Sequence, residues 1–322
     1  MSNSQKISGS TTYQNILDTI GNTPLVFLPT ISSETGVNIY AKLEGNNPTG
    51  SVKDRIAKYM MQKAESEGLL EGNKTVLEPT SGNTGISLGL VCKLMGYNLT
   101  VVMPDNVSEE RVQLLRAYGA EIIFSDGEGG TNHAINVAKE IYANNTDKYF
   151  MPYQYGNEAN PLAHYETTGV EILEALPTID TFIAGLGTGG TLTGIGRRLK
   201  EYNNEIHVAA VVPNPDDSIS GLRRLEDGFI PPILDQKVLN SRIMIDSKEA
   251  FHMAKELLSK EGVFAGVSAG SVIACALKIA ARGTHNNIVC LLADGGWKYL
   301  STNLWELEYN VLKDDVKGKL WW

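Results

Sequence analysis

Lys53 stands at a place in the sequence where a side chain could do covalent chemistry. It follows a Pro- and Gly-containing turn at 47–51, and Val52, Ile56 and Met60 recur at the i, i+4 spacing of an amphipathic helix. Lys53 is therefore predicted in the first helical turn, where the positive end of the helix dipole disfavours a cation. The neutral amine is the form that makes a Schiff base. An ordinary surface lysine is the alternative that this segment leaves open.

A run of small polar residues, Thr80-Ser81-Gly82-Asn83-Thr84-Gly85, lies between a predicted strand and a predicted helix. Its hydroxyl and backbone N–H groups can converge on an anion, with support from the helix dipole. A carboxylate suits such a site. The alternative is a strand-to-helix turn with good capping residues, which needs fewer polar residues than this loop has, so we favour binding.

The glycine-rich segment at 185–191 formally satisfies the dinucleotide pattern G-x-G-x-x-G. The acidic residue expected about twenty residues later is missing, because the strand at 207–212 runs into Pro213-Asn214. A Gly-Lys-Ser/Thr sequence is also absent, so the segment is not a P-loop. Glycines and threonines before a helix still make a good cradle for a single phosphate.

The turn Gly266-Val267-Ser268-Ala269-Gly270 resembles the G-x-S-x-G nucleophile elbow of hydrolases. A serine hydrolase would need an acid and a histidine downstream, and His285 is the one later histidine, in a predicted turn. We therefore disfavour hydrolysis. A capped helix start is the plain alternative.

Strands and helices alternate along the chain, which indicates βαβ units and an α/β fold with a mostly parallel sheet. Ser108 is the predicted N-cap of one helix. The predicted strands are 76–78, 99–103, 121–124, 181–186, 207–212 and 288–292, and the predicted helices are 86–95, 108–118, 131–144, 192–202, 248–260 and 271–281.

Composition and charge exclude several classes of function. The chain has 322 residues and a net charge of −9, which makes nucleic acid and anionic membranes poor partners. Its apolar runs are too short to cross a membrane. The three cysteines form no C-x-x-C pair and the five histidines show no metal-ligand spacing, so we expect no disulfide framework and no metal. Without a signal peptide pattern, a cytoplasmic location is expected.

Taken together and in order, the motifs resemble those of the cysteine synthase / cystathionine β-synthase family, which are fold-type-II enzymes using pyridoxal 5′-phosphate (PLP). The resemblance covers about residues 12–303 and also includes the segments 20–25, 103–104, 154–157 and 294–301. It implies two three-layer αβα domains with mostly parallel sheets and the active site between them. The larger PLP-binding domain would comprise 12–46 and 158–303, the smaller mobile substrate-binding domain 47–157, and the C-terminal tail 304–322.

The resemblance also implies a role for each motif. Lys53 would hold PLP as an internal aldimine and later shuttle protons. Asn83 would bond the ring hydroxyl, and Ser268 would face the pyridine nitrogen. The phosphate would lie on Gly187, Thr188, Gly189, Gly190 and Thr191, and the substrate α-carboxylate on Thr80, Ser81, Thr84 and Gln154.

A serine at the ring nitrogen has a chemical reason. A hydroxyl, unlike an aspartate, does not keep that nitrogen protonated, so loss of a β-substituent competes better with long-lived carbanion chemistry. The implied activity is β-replacement, in which an activated serine loses its substituent to give an aminoacrylate. A sulfur donor then adds to make L-cysteine in a ping-pong scheme.

Arg223 bears on the identity of the activated serine. The segment 221–229 resembles phosphoserine-dependent cysteine synthases, in which an arginine at the place of Arg223 binds the substrate phosphate. A guanidinium suits a phosphate dianion in charge and in fork geometry. We favour O-phosphoserine over O-acetylserine with free sulfide, and over serine with homocysteine. The alternative is that Arg223 and Arg224 are surface residues that form ion pairs with their neighbours Glu226 and Asp227.

The chain end, residues 318–322, also resembles that branch. There the C-terminal tail can cover the active site, and the sulfur can arrive on the thiocarboxylate of a small carrier protein. A homodimer is expected. Two alternatives come from other classes of protein. One is a non-catalytic partner of serine acetyltransferase, against which the presence of Lys53 argues, and the other is an NAD oxidoreductase.

Overall fold

The computed structural model describes residues 6–7, 10–80 and 82–316. Its strands are β1 (Lys6–Ile7), β2 (Ser10–Thr11), β3 (Leu25–Phe27), β4 (Asn38–Leu43), β5 (Thr75–Pro79), β6 (Leu99–Pro104), β7 (Glu121–Ser125), β8 (Tyr149–Phe150), β9 (Thr181–Gly185), β10 (His207–Pro213), β11 (Ser241–Ile245) and β12 (Asn287–Leu292). Its α-helices are α1 (Pro29–Thr35), α2 (Lys53–Ser66), α3 (Asn83–Met95), α4 (Glu109–Ala117), α5 (Gly130–Asn144), α6 (Ala159–Ala163), α7 (Gly169–Ala175), α8 (Gly190–Tyr202), α9 (Ser247–Glu261), α10 (Val267–Ala280) and α11 (Tyr309–Val316).

Most neighbouring strands run parallel to each other. The larger sheet has the order β11-β10-β9-β12-β4-β3, and within it β3 runs antiparallel to β4. The second sheet has the order β7-β6-β5-β8 and is parallel throughout. Strands β1 and β2 form a short antiparallel pair. The predicted α/β fold with mostly parallel sheets is confirmed.

Alternate residues of the central strands pack against helices on opposite faces. In β12, Ile288 and Cys290 contact one apolar cluster with α9 and α10, whereas Val289 and Leu291 contact another with α8. Strands β5 and β6 alternate in the same way between α2 and α3 on one face and α5 on the other. Each sheet is therefore the middle layer of an αβα arrangement, which explains the nearly continuous apolar strands.

Several predicted helices begin earlier in the structure: α3 begins at Asn83 rather than at 86, and α8 at Gly190 rather than at 192. Helix α10 begins at Val267 rather than at 271, so Ser268 lies within the first helical turn. Within that turn the Ser271 hydroxyl donates to the Ser268 carbonyl (2.7 Å). Helix α4 begins after Ser108 as predicted, but the Ser108 side chain accepts no capping hydrogen bond.

The segment after residue 303 packs against the larger sheet's helical layer. Leu304 and Leu312 contact Phe251 of α9, and Lys255 donates to the Leu307 carbonyl (2.8 Å). The predicted active-site cover at 318–322 lies outside the described residues. Among the helices that the structure describes, each is too short or too polar to cross a lipid bilayer.

Candidate active site

A cavity of about 710 Å³ lies where the carboxyl ends of strands from both sheets meet. Thr80 follows β5, Gly187 follows β9, and Asp294 follows β12, and all three line it. This edge of a parallel α/β sheet is where ligands bind. Of the residues predicted for the site, the cavity is lined by Lys53, Thr80, Asn83, Thr84, Gln154, Gly187, Thr188, Gly189, Thr191, Arg223 and Ser268. Ser81 lies outside the described residues.

Lys53 is the first residue of α2, as its sequence position predicts. Its backbone N–H donates to the Ser51 hydroxyl (3.1 Å), and Val52 N–H donates to the Ala293 carbonyl (2.8 Å), so β12 holds this helix start in place. Burial lowers the pKa of the Lys53 amine, and the nearby Asp294 carboxylate opposes that shift. Burial therefore adds a cause for the neutral amine that the sequence position alone did not provide.

The loop before α8 is built so that its backbone can approach a ligand closely. Gly189 has a φ of +85°, which favours glycine. A Cβ at Gly187 would lie 2.9 Å from the Gly221 carbonyl oxygen, and one at Gly190 would lie 1.9 Å from Asn160 Oδ1. Gly190 therefore faces Asn160 rather than the cavity. A side chain at these glycines would collide with neighbouring protein atoms, so the loop keeps this shape only with glycine; it opens a 13-residue helix, whose N-terminal backbone suits a monophosphate such as that of PLP.

Two residues that the sequence analysis missed support this loop. His164 Nε2 lies 3.2 Å from the Thr191 hydroxyl, and its Nδ1 lies 3.0 Å from the Thr168 hydroxyl. Burial keeps the pKa of His164 well below its usual value, so the ring is neutral. Asn160 donates to the Thr188 hydroxyl (3.3 Å). No motif marks either residue, because both lie on the neighbouring helical segment, far from the loop in sequence.

The predicted carboxylate-binding residues come together from two segments. The Thr84 hydroxyl donates to Gln154 Oε1 (2.7 Å), although the two residues are 70 positions apart. Behind them, the Glu78 carboxylate accepts the N–H groups of Tyr153 (2.7 Å) and Gln154 (2.9 Å). Burial raises the pKa of Glu78 to about 8, and these two hydrogen bonds oppose the shift. Glu78 therefore fixes the backbone that carries Gln154.

Asn83 is held by two residues from the segment after β12. Its Nδ2 donates to Asp294 Oδ2 (2.7 Å), and its Oδ1 accepts from Lys298 Nζ (2.7 Å). The Tyr299 hydroxyl also donates to Asp294 Oδ2 (2.7 Å). Neither Asp294 nor Lys298 was assigned a role from the sequence. The signal that could have found Asp294 is a carboxylate directly after a buried parallel strand.

Ser268 lines the cavity from the first turn of α10 and is buried. The hydrolase alternative finds no support in its surroundings, because His285 bonds the hydroxyl of Thr181 (2.8 Å) at the start of β9. That is the opposite edge of the sheet from Ser268. Ser268 is therefore placed to contact a ligand in the cavity, and His285 is too far away to act as its base.

Arg223 lies at the cavity wall between two aromatic rings. Its guanidinium carbon is 4.8 Å from the ring centre of Phe229 and 5.5 Å from that of Tyr155. Its Nη1 donates to Asn132 Oδ1 (3.0 Å), so it joins the segment after β10 to helix α5. Stacking of this kind orients a guanidinium toward a planar or anionic guest.

Arg223 does not form an ion pair with its neighbour Glu226. Glu226 forms its ion pair with Arg242 (3.2 Å), and the side chain of Asp227 lies outside the described part of the chain. Arg224 donates to the Asn214 carbonyl (3.3 Å). The alternative, pairing of Arg223 with Glu226, is therefore not found, because that carboxylate pairs with Arg242.

Arg111 of α4 is a second arginine at the cavity that the sequence analysis missed. Burial lowers its pKa, while the charges of Tyr299, Asp294 and Glu110 oppose the shift. In sequence it is one of several charged residues on an ordinary amphipathic helix. The cavity thus combines a nucleophilic lysine, a phosphate-sized cradle and two arginines.

Comparisons with known proteins agree with this geometry. The family model described as pyridoxal-phosphate-dependent enzyme matches residues 16–294. A cysteine synthase of Staphylococcus aureus is 41% identical over 304 residues, which cover 91% of this chain and 97% of that protein.

Solved structures show the same fold. A hydrogen sulfide-producing enzyme from Fusobacterium nucleatum has a TM-score of 0.84 and 41% identity, covering 89% of this chain and 100% of its own. A cysteine synthase from Entamoeba histolytica has a TM-score of 0.86 and 33% identity, covering 96% of this chain and 98% of its own. The chain therefore belongs to the family of pyridoxal-phosphate-dependent enzymes and, within it, to the cysteine synthases.

Proposed function

We propose that this cysteine synthase takes O-phosphoserine as its activated serine and replaces the phosphate with sulfur to make L-cysteine. The observation that carries the proposal is the position of Arg223, which lines the cavity and is stacked beside Phe229. An arginine so placed can bind a phosphate dianion with two hydrogen bonds. An acetyl group is uncharged, so it would form no ion pair with this arginine.

The residues at the site fit PLP. Its phosphate would lie on the loop at 187–191, its ring hydroxyl near Asn83 and its ring nitrogen near Ser268, with Lys53 as the covalent attachment. When bound, PLP supplies an electron sink that makes the Cα proton of an attached amino acid acidic.

The chain's own groups then handle binding and proton movement. Thr80, Thr84 and Gln154 hold the substrate carboxylate, which fixes the Cα–H bond toward the lysine. Lys53 Nζ, whose neutral form burial favours, takes the Cα proton. The Cβ–O bond breaks, and the phosphate leaves with the electron pair into the hydrogen bonds of Arg223. The sulfur anion then forms the Cβ–S bond, and Lys53 returns the proton to Cα.

We also propose how the two parts of the chain move, where and in what form the enzyme acts, and where the sulfur comes from. Residues 47–157 would close as a mobile unit on the part formed by 12–46 and 158–303, with the chain acting as a cytoplasmic homodimer. The sulfur would come as free sulfide or on the thiocarboxylate of a carrier protein. Adding each donor to the purified enzyme with O-phosphoserine, and measuring cysteine, distinguishes these two sources.

The test of the substrate compares cysteine formation, with sulfide as the donor, from O-phosphoserine, O-acetylserine and serine. We expect Arg223→Ala to lower kcat/KM for O-phosphoserine by roughly 10- to 100-fold, because a hydrogen bond to a charged group contributes about 1.5–3 kcal/mol. O-Acetylserine turnover should change much less.

Arg224→Ala is the matched control, since Arg224 lies on the same loop and bonds the Asn214 carbonyl instead. The phosphoserine assignment fails if Arg223→Ala leaves O-phosphoserine turnover untouched, or if wild type prefers O-acetylserine. Lys53→Ala should abolish turnover of every serine derivative. That variant separates a wrong substrate from a wrong reaction class.

A further inference from the structure

The segment 293–298, directly after β12, joins the three loops that surround the cavity. Val52 N–H donates to the Ala293 carbonyl (2.8 Å), which ties the segment to the start of the Lys53 helix. Gly266 N–H donates to the Asp294 carbonyl (3.2 Å), which ties it to the turn before Ser268. The Asp294 side chain reaches the third loop at Asn83 (2.7 Å). One short segment therefore contacts the lysine, the serine and the asparagine loops.

The charges of this segment decide which way the Asn83 amide points. A lysine ammonium can only donate and an aspartate carboxylate can only accept. With Lys298 at 2.7 Å on one side and Asp294 at 2.7 Å on the other, Oδ1 must face the lysine and Nδ2 must face the aspartate. The reversed amide would place two donors together and two acceptors together.

This orientation fixes what Asn83 offers to a ligand. The amide nitrogen carries two N–H donors, and Asp294 takes one of them. The second N–H remains for a group in the cavity, which Asn83 lines. An N–H donor favours an oxygen in its ionised form over a hydroxyl.

We propose that Asp294 and Lys298 are positioning residues that lock the Asn83 amide as a donor, so that PLP binds tightly and with its ring oxygen ionised. Tyr299 supports this arrangement through its own hydrogen bond to Asp294 Oδ2. The inference concerns cofactor binding, so it goes beyond the proposed function and holds whichever activated serine the site takes.

The experiment measures PLP binding rather than turnover. Lys298→Met and Asp294→Asn are each made in the wild-type chain and in an Asn83→Ala background, and the apo forms are titrated with PLP by equilibrium dialysis. In the wild-type background we expect each change to weaken the PLP Kd roughly tenfold. The visible band of Lys53-bound PLP should also change its pH dependence, because the ring oxygen would ionise at a higher pH.

In the Asn83→Ala background, Lys298→Met should change the PLP Kd by no more than about twofold, because the lysine would act through the missing amide. An equal loss in both backgrounds would overturn the proposal. Lys298→Arg keeps a donor and is expected to retain wild-type affinity, and a loss as large as that of Lys298→Met would also count against it.

Lys255→Met is the matched control. That lysine donates to the Leu307 carbonyl, on a helix that does not line the cavity, and its removal should leave PLP binding and the visible band unchanged. Failure of the O-phosphoserine assignment would leave these binding results intact, so the two hypotheses can fail separately.

Discussion

Burial favours the neutral form of two lysine amines, Lys53 at the cavity and Lys298, which bonds Asn83. Removing Lys53 from water lowers the pKa of its amine, and the same cause lowers the pKa of Lys298 to about 8. Asp294 opposes the shift in both cases because its negative charge favours the ammonium form. Burial therefore shifts both amines toward the neutral form, and one carboxylate limits how far this goes.

The rate at which Lys53 reacts with PLP should accordingly rise at a lower pH than it would for an ordinary lysine. The neutral amine is the reactive form, and its fraction rises as pH increases through the amine's pKa. Because that pKa is lowered, we expect the rate of covalent attachment of PLP to the apo form to reach half its maximum below pH 10.5, the ordinary lysine value. Asp294→Asn should move this midpoint still lower.

Stopped-flow absorbance after mixing apo protein with PLP, at a series of pH values, measures this midpoint. Lys53→Ala is the control that assigns the absorbance change to this residue, and it should show none. A midpoint at or above the ordinary lysine value would mean that burial does not govern the amine.

At the scale of secondary-structure elements, the predicted strands end within one residue of those in the structure, whereas α3, α8 and α10 begin two to four residues earlier than predicted. The loops at 80–85 and 187–191 carry their binding groups on consecutive residues, so the printed sequence shows them directly. Contacts between distant segments could not be predicted in this way. Asn83 and Asp294 are 211 positions apart, and no periodicity places them together. The start of α10 was also misplaced, because small residues such as those at 266–270 suit a loop and a tightly packed helix alike.

Helix α2 is fixed by a buried ion cluster that no pattern predicted. Arg55, two residues after Lys53, bonds the Glu44 carboxylate (2.7 Å) and the Glu171 carboxylate (2.6 Å), and Lys42 also bonds Glu171 (2.6 Å). The cluster joins α2 to β4 and α7. Because Arg55 sits in the same helical turn as Lys53, this anchoring also limits how far the catalytic lysine can move.

Acid should weaken this anchor. Burial opposes ionisation of Glu171, but the hydrogen bonds and charges of Arg55 and Lys42 outweigh it and lower the pKa of Glu171 from 4.5 to about 2. A lowered carboxyl pKa contributes stability above the unfolded value, which is lost as pH falls from about 4.5 toward 2. We expect roughly 3 kcal/mol of the free energy of unfolding to depend on this titration. Glu171→Gln should therefore lose less stability on acidification than wild type does.

Urea unfolding at about pH 5 and about pH 3 measures the difference. Glu171→Gln should also be less stable near neutral pH by roughly 3–5 kcal/mol, because the buried Lys42 loses its carboxylate partner and Arg55 loses one of its two. Glu166→Gln is the matched control, since Glu166 bonds the Tyr59 hydroxyl (2.8 Å) at the surface. An acid dependence of Glu171→Gln equal to that of wild type would assign the titration to other groups.

At the scale of the whole molecule, the cavity lies between the two sheets and is crossed by a few polar contacts. Arg223 follows β10 of the larger sheet, whereas Asn132 belongs to α5, which packs on the smaller sheet. Their hydrogen bond of 3.0 Å therefore joins the two parts at the cavity. A phosphate bound there would be shared by groups from both parts, so substrate binding and closure of residues 47–157 would be coupled.

This coupling predicts where O-phosphoserine slows amide hydrogen exchange. We expect slower exchange at 127–132 and at 221–223 together, because an anion between them replaces water on both sides. Lys53→Ala is used so that the substrate is bound but not consumed, and serine, which lacks the phosphate, is the control ligand. Adding Arg223→Ala should remove the protection in both segments, whereas adding Arg224→Ala should leave it. Protection confined to 221–223 would show that the phosphate binds without drawing the smaller part of the chain onto the larger.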